Sequence, residues 1–180
     1  MNMNKVTTDR LELKPMELTD APALFSFWSD PAVTKHMNIE AFTDVAQAEQ
    51  MISLLQELSQ EGKACRWTIT LRQPFEIIGS CGFNYLDHEN KRAEIGYDLG
   101  RFFWGSGYAS EAIRAMLGFG FEQLGLNRIE AKVEPENVSS IKLLKRLQFT
   151  EEGRLRKYEM SKGKLVDVIM FSLLRSEWHG

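Results

Sequence analysis

The 180-residue sequence has few residues of the kinds that build metal centres or disulfide frameworks. It contains only two cysteines, Cys65 and Cys81, and three histidines that lie far apart in the chain. No pair of them has the short spacing typical of zinc ligands, so the sequence predicts no metal site. Both cysteines lie in apolar, strand-like segments, and we expect them to be buried, reduced thiols of a cytoplasmic protein.

The sequence also lacks an excess of basic charge and any long apolar run. Its net charge is −3 and its pI is about 5.7. This balance disfavours direct nucleic-acid binding, which requires a basic footprint, but it suits a cationic substrate. The polar first ten residues are unlike a secretion signal, and no apolar run reaches the length of a membrane span. We therefore expect a cytoplasmic protein without membrane attachment.

Hydrophobic periodicity predicts seven strands and four helices. The strands are expected at residues 11–15, 64–71, 76–86, 92–99, 128–134, 149–160 and 165–174. Helices are predicted to begin near Thr19, Thr43, residue 106 and Asn137, with Asp30-Pro31 ending the first of them. The helix at 106–124 carries its apolar residues along one stripe and is closed by Gly125.

The predicted fold class is α/β (α+β), with a mixed, mostly antiparallel sheet and helices on both faces. The elements follow in the order β–α–α–β–β–β–α–β–α–β–β. Segment 92–134 is a strand–helix–strand crossover, so the strands at 92–99 and 128–134 are expected to be parallel neighbours. Because no linker, repeat or low-complexity block interrupts the chain, residues 1–180 are predicted to form one domain.

Residues 102–112, FFWGSGYASEA, connect a predicted strand with a predicted helix and carry the strongest chemical signal. Gly105 and Gly107 allow the backbone to approach a ligand closely and to point N–H groups at it. The helix start adds a partial positive charge, which together with those groups suits a phosphate or pyrophosphate. A tight turn that happens to hold two glycines is the alternative interpretation.

Two well-known phosphate-binding folds fit this loop poorly. A dinucleotide fold requires a glycine or alanine at the position of Ser110, in a crossover early in the chain. A P-loop requires a Gly-Lys-Ser/Thr sequence, which is absent here. Coenzyme A is the remaining candidate.

Several segments in this order resemble the GNAT acyltransferase superfamily, and within it the branch of ribosomal-protein N-terminal acetyltransferases (RimJ/RimL-like). The resemblance covers nearly the whole chain and implies a GNAT-like single domain. Its strongest signals are AEIGY at 93–97 and WGSGYASEA at 104–112. The other segments are RLELKP at 10–15, DPAV at 30–33, NVSS at 137–140, Glu152-Gly153, Asp167 and Glu177-Trp178.

The resemblance implies acetyl-CoA as co-substrate, with its pantetheine arm in a cleft where strands 92–99 and 128–134 separate. The loop amides are expected to bind the pyrophosphate, and N–H groups near Leu99 to polarise the thioester carbonyl. Lys145 belongs to a basic cluster that is either a solvated face or a site for the 3′-phosphate. The implied cofactor-binding residues are Tyr97, Leu99, Trp104, Gly105, Ser106, Gly107, Tyr108, Ala109, Asn137, Ser140 and Lys145.

The resemblance also implies two catalytic residues, Glu94 and Ser140. Glu94 is the candidate general base, directly or through a water, although a solvated strand carboxylate is the alternative. Ser140 is the candidate proton donor to the departing thiolate, because Leu144 stands where many relatives carry a tyrosine acid. Asn137 suits a helix cap as well as a contact to the cofactor.

The predicted function is transfer of an acetyl group from acetyl-CoA to a primary amine, by direct attack with general-base assistance. The predicted acceptor is a protein N-terminal α-amine, such as that of a ribosomal protein. A polyamine, an aminoglycoside or another small amine is the alternative acceptor, and a non-catalytic acyl-CoA-binding domain is the alternative function. The sequence does not decide between a monomer and a homodimer.

Overall fold

A computed structural model describes residues 4–180 and contains one eight-stranded sheet. The predicted strands are present with small shifts at their ends, and a two-residue strand precedes them. The strands are β1 (Val6–Thr7), β2 (Leu11–Pro15), β3 (Cys65–Arg72), β4 (Phe75–Asp87), β5 (Arg92–Leu99), β6 (Arg128–Val133), β7 (Thr150–Ser161) and β8 (Lys164–Leu174).

The helices differ from the predicted ones at their boundaries. They are α1 (Ala21–Trp28), α2 (Pro31–Thr34), α3 (Val45–Gln60), α4 (Tyr108–Gly118) and α5 (Val138–Arg146). Asp20 and Asp44 stand at the N-caps of α1 and α3, one residue after the predicted Thr19 and Thr43. The predicted helix 106–124 begins two residues later and passes into a π-helical turn, Phe119–Gln123.

The first helix ends just before Asp30-Pro31, as predicted, but the sequence analysis expected no helix directly after this pair. Pro31 instead begins α2, and the Asp30 carboxylate accepts a hydrogen bond of 2.9 Å from the amide of Ala32. Proline fits the first position of a helix because its missing N–H has no partner there in any case. This one-turn helix brings residues 32–37 beside the end of β5.

The sheet is antiparallel except at its centre. Its strand order is β1-β2-β3-β4-β5-β6-β8-β7, and β5 and β6 are parallel, as predicted. Their pairing extends only from Arg92–Arg128 to Glu94–Glu130. Beyond Glu94 the two strands separate, while β5 remains paired with β4 up to Leu99. The sheet therefore opens at its centre into a V-shaped gap.

The helices pack on both faces of the sheet, as predicted. On one face, α1 and α3 pack on each other and on β4 and β3, around a small core that includes Trp28 and Ile52. On the other face, α4 contacts β2, β4 and β5 and covers the larger core. Residues Ile129, Ala131 and Val133 of β6 are buried in that core, as their alternation predicts.

A buried polar cluster fixes the end of β5 to its neighbours. The Asp98 carboxylate accepts hydrogen bonds from Trp28 Nε1 at 3.1 Å, Arg66 Nη2 at 2.8 Å and Ser80 Oγ at 2.6 Å. The Asp98 side chain is 2% exposed, so loss of its charged partner would leave an unpaired buried charge. The cluster thereby holds the strand end that borders the gap.

The hairpin between β7 and β8 is attached to the segment that follows α2. Lys162 at its tip donates hydrogen bonds from Nζ to the carbonyl oxygens of Thr34, at 2.7 Å, and Lys35, at 3.2 Å. The Asn38 amide donates to the carbonyl oxygen of Met160 at 3.1 Å. Two segments more than 120 residues apart in sequence therefore form one wall beside the gap.

Candidate active site

A cavity of about 340 Å³ lies at the gap between β5 and β6. One side is formed by the end of β5 and the loop that leads into α4. Helix α5, from its cap Asn137 to Arg146, and the segment 32–37 form the rest. The cavity thus brings together four chain segments that are distant in sequence.

The loop at residues 104–107 adopts the backbone conformation that its glycines allow. The φ angles of Gly105 and Gly107 are +75° and +83°, in the left-handed region that L-residues with side chains adopt at a cost. Gly107 is the N-cap of α4, and no side chain caps this helix. The first amide groups of α4 are therefore free to bind an anion, and the helix dipole favours negative charge there.

Arg10 supports this loop from the edge of the sheet. Its guanidinium donates to the Ser106 carbonyl oxygen at 2.9 Å and to Glu111 Oε2 at 2.7 Å, and it lies 4.5 Å from the centre of the Tyr108 ring. Burial alone would raise the pKa of Glu111, but hydrogen bonds from Thr8 and Arg10 outweigh it and lower that pKa. Glu111 therefore stays ionised and holds Arg10 against the loop.

Trp104 and Leu99 are joined across the mouth of the cavity. The Trp104 indole N–H donates to the Leu99 carbonyl oxygen at 2.9 Å. Residues 95–99 pair with β4 on one side and have no strand pairing with β6 on the other. This arrangement presents an open strand edge next to the anion-binding loop.

Ser140 and Tyr97 form a hydrogen-bonded hydroxyl pair at the centre of the cavity lining. Burial raises the pKa of Tyr97, and the hydrogen bond to Ser140 only partly opposes this effect. The phenol therefore stays protonated at neutral pH and can serve as a proton donor. The Asn137 side chain accepts from the Ser140 amide at 3.2 Å and caps α5, which fixes the position of Ser140.

Glu94 lies at the last position where β5 pairs with β6. Its carboxylate forms an ion pair with Lys132 Nζ at 3.1 Å. Lys132 also contacts Glu159 at 2.7 Å. Burial lowers the pKa of Lys132, but its two carboxylate partners outweigh this effect and raise it, so Lys132 stays charged. Glu94 does not contribute to the cavity lining.

Most of the predicted site residues line the cavity, and three do not. The lining includes Tyr97, Leu99, Trp104, Gly105, Gly107, Tyr108, Ala109, Asn137 and Ser140. Ser106, Glu94 and Lys145 lie outside the lining. Lys145 forms an ion pair with Glu151 at 2.9 Å, whereas its neighbour Arg146, from the same basic cluster, lines the cavity.

The sequence analysis did not predict that α2 and the residues after it contribute to the cavity. Ala32, Val33, His36 and Met37 all line the cavity. The Asp30-Pro31 pair was the signal for a new helix there, because it provides a cap followed by a proline at the first helical position. Among residues 4–180, His36 is the only histidine in the lining.

Two kinds of feature are absent from residues 4–180. No group of three or more histidine, cysteine, aspartate or glutamate side chains in this part of the chain is arranged to hold a metal ion. No helix in the same range is both long and apolar enough to cross a lipid bilayer.

The cavity-lining residues all lie within the range of one family match. The family model described as "Acetyltransferase (GNAT) domain" matches residues 10–150. An uncharacterized N-acetyltransferase, p20 of Bacillus licheniformis, is 58% identical over 178 residues, which span 99% of this chain and 100% of p20.

Solved structures share the fold. The microcin C7 self-immunity acetyltransferase MccE, in complex with acetyl-CoA and AMP, is 29% identical, with a TM-score of 0.83 and coverage of 93% of each chain. An acetyltransferase from Salmonella typhimurium, described as modifying the N-terminal serine of 50S ribosomal subunit protein L7/L12, is 25% identical. Its TM-score is 0.84, and the match covers 95% of this chain and 99% of that one.

Proposed function

This chain belongs to the GNAT family and is an acetyl-CoA-dependent N-acetyltransferase, and from that premise we propose that its acceptor is the N-terminal α-amine of a protein. The observation that carries the proposal is the open edge of β5 between an anion-binding loop and a protonated hydroxyl pair. Residues 1–180 act as one N-acetyltransferase domain, and the substrate is a ribosomal or other protein N-terminus.

The cofactor lies along the V-shaped gap, with its phosphates at the start of α4. The amides from Gly105 to Ala109 bind the pyrophosphate, and Arg146 adds positive charge from α5. The pantetheine arm follows the unpaired edge of β5, and Asn137 contacts it. This placement brings the thioester to Leu99, whose backbone N–H polarises its carbonyl, and to the Tyr97–Ser140 pair.

Acetyl transfer is direct and needs no acetyl-enzyme. The neutral amine attacks the thioester carbonyl carbon, a C–N bond forms, and the C–S bond breaks as the tetrahedral intermediate collapses. Ser140 gives its proton to the departing thiolate and recovers one through Tyr97. The nitrogen of the tetrahedral intermediate releases its extra proton to water, and water in turn reprotonates Tyr97. A hydroxyl pair suits this step because Leu144, at the position where relatives carry a tyrosine acid, is buried and apolar.

The free energy needed to deprotonate the acceptor favours an α-amine. An α-amine has a pKa of about 7.7–8.0, so the neutral form at pH 7 costs about 1 kcal/mol. A lysine side chain, with a pKa of about 10.4, costs roughly 4–5 kcal/mol. The net charge of −3 also suits a cationic N-terminus.

The experiment is thiol release from acetyl-CoA in the presence of a panel of amines. The panel contains peptides with free N-termini, the same peptides with a blocked α-amine and one lysine, a polyamine and an aminoglycoside. We expect turnover with the free N-termini and none with the blocked peptides, and mass spectrometry should locate the acetyl group on the α-nitrogen.

Two other results have clear meanings. If a small amine is acetylated rapidly and the peptides are not, the proposed acceptor class is wrong, although the reaction is still acetyl transfer to an amine. Turnover with the blocked peptides would move the acceptor to the lysine side chain.

A further inference from the structure

His36 has an unusual environment for a histidine that lines a cavity. Its side chain is 24% exposed, but its Nδ1 is fully buried and has no hydrogen-bond partner among residues 4–180. The exposed part of the ring therefore lies away from Nδ1. His36 belongs to the cavity lining together with Tyr97 and Ser140, the hydroxyl pair of the proposed reaction site.

A carboxylate stands behind the buried nitrogen. Glu134 Oε2 lies 4.0 Å from His36 Nδ1, just beyond hydrogen-bond distance, and Ser161 Oγ donates to Glu134 Oε1 at 3.3 Å. Buried polar atoms in folded proteins are nearly always paired, so an unpaired one requires a reason. A small rotation of either side chain would complete an Nδ1–H to carboxylate hydrogen bond.

We propose that His36 is the general base that deprotonates the acceptor amine, and that Glu134 is a positioning residue that keeps the imidazole proton on Nδ1. This inference rests on the proposed function. With Nδ1 protonated, the Nε2 lone pair takes a proton from the acceptor ammonium, which leaves a neutral amine and an imidazolium. The amine then attacks the thioester, and the imidazolium releases its proton to water.

The charges around His36 keep it in the form that a base needs. Burial lowers its pKa below the ordinary value, Lys35 and Lys162 lower it further, and Glu134 and Glu136 raise it in part. These groups come from the segment after α2, the β7–β8 hairpin and the turn after β6. The imidazole is therefore neutral at pH 7, the form that can accept a proton.

His36 has a better position for this role than the predicted base. Glu94 is held by Lys132 at 3.1 Å and lies outside the cavity lining, so it would have to act through a chain of waters. His36 reaches the cavity directly and is held there by the hairpin contacts of Lys162 to the backbone of Thr34 and Lys35.

The first test compares the pH dependence of kcat for wild type, His36→Gln and Glu94→Gln with one N-terminal peptide. We expect His36→Gln to reduce kcat about 100-fold below pH 7, with the loss shrinking above pH 8, where the amine is already neutral. Its affinity for acetyl-CoA should be unchanged. His179→Gln, an exposed histidine near the chain end, is the matched control and should keep the wild-type profile.

The second test measures the ionisation of His36 itself and needs no turnover. Nitrogen-15 NMR can follow the three histidines of this chain, with His36→Gln assigning the signal. In wild type with bound coenzyme A we expect the Nδ1–H tautomer. Glu134→Gln should lower the pKa of His36, reduce the share of that tautomer and move the acid limb of kcat to lower pH.

The outcomes separate this inference from the proposed function. Peptide turnover in His36→Gln with the wild-type pH profile would overturn the base assignment and leave the N-terminal acetyltransferase standing. A changed acid limb in Glu94→Gln, with none in His36→Gln, would assign the base to Glu94. An Nε2–H tautomer that Glu134→Gln does not affect would also overturn the inference. No turnover of any peptide by wild type would refute the proposed acceptor instead.

Discussion

The two sides of the cavity are built in different ways. The proposed cofactor side, residues 104–110, is one continuous segment that offers backbone amides at the start of α4. The proposed acceptor side consists of residues 32–37, which are held by the tip of the β7–β8 hairpin. The first depends on local backbone conformation, whereas the second depends on contacts between segments more than 120 residues apart.

This difference matches what each side has to recognise. A pyrophosphate has the same shape and charge in every enzyme that binds coenzyme A, so a fixed set of amides is sufficient. An acceptor amine differs among enzymes, and side chains such as His36 provide the variable chemistry. We therefore expect substitutions on the two sides to separate cofactor affinity from acceptor chemistry.

The largest expected effect is the loss of acetyl-CoA binding in Gly107→Glu. The new side chain would place bulk and negative charge at the start of α4, where the phosphates bind. Gly125→Glu is the control, because Gly125 also has a positive φ, +65°, but lies outside the cavity lining. A Cβ atom at Gly125 would meet open space, whereas one at Gly107 would lie 3.3 Å from Nη2 of the flexible Arg10 side chain. Calorimetry should show no binding in the first variant and wild-type affinity in the second. Equal affinity in both would refute the phosphate site.

Ser140→Ala should separate turnover from cofactor affinity. We expect kcat to fall about 100-fold, the range for loss of a general acid, with little change in the dissociation constant of acetyl-CoA. Tyr97→Phe should have a smaller effect on kcat. Ser140 could still donate its proton to the thiolate and would lose only Tyr97, the group that supplies the next proton. The measurement is steady-state kinetics with calorimetry on the same samples. Full turnover in Ser140→Ala would assign the proton to water or another residue.

Arg146 and Lys145 offer a comparison within the cofactor side. Arg146 lines the cavity, whereas Lys145 is paired with Glu151 at 2.9 Å. We expect Arg146→Ala to weaken acetyl-CoA binding roughly tenfold and to reduce its salt dependence. Lys145→Ala should change the affinity for acetyl-CoA less than twofold, because Lys145 is engaged by Glu151 in an exposed ion pair, and such pairs contribute little energy. The reverse ranking would restore the assignment made from the sequence.

The smallest expected effect concerns the acceptor side and the stability of the fold. Burial lowers the pKa of His36, so the unfolded chain binds this proton more readily than the folded one. The contribution of His36 to stability is therefore lost as pH falls below about 6.5. His36→Gln removes this pH-dependent contribution to stability. When the pH is lowered from 7 to 5, the melting temperature of the variant should therefore fall by roughly 1–3 °C less than that of wild type. Identical pH dependence in calorimetry would contradict this.

Much of the fold could be predicted from the sequence because its signals are local. Alternation of apolar residues predicted the strands from β2 to β8, and the crossover at 92–134 predicted the one parallel pair, which the structure confirms. Capping by Asn137 was predicted and is observed.

The cofactor side was equally accessible from the sequence. Gly105 and Gly107 allow a left-handed loop conformation within a few residues of chain, and the proposed anion site depends on that local conformation. The resemblance to a known family then supplied coenzyme A as the ligand. What the sequence by itself determined is therefore the sheet, the anion-binding loop and the class of cofactor.

Only the tertiary structure decided which ionisable groups meet at the cavity. The ion pair of Glu94 with Lys132 and the approach of Glu134 to His36 join side chains that are far apart in the chain. Their partners depend on where β6 separates from β5 and where the β7–β8 hairpin ends, and no local pattern encodes either position. The electrostatic environment of a side chain arises from neighbours that meet only after folding, and that is the physical reason.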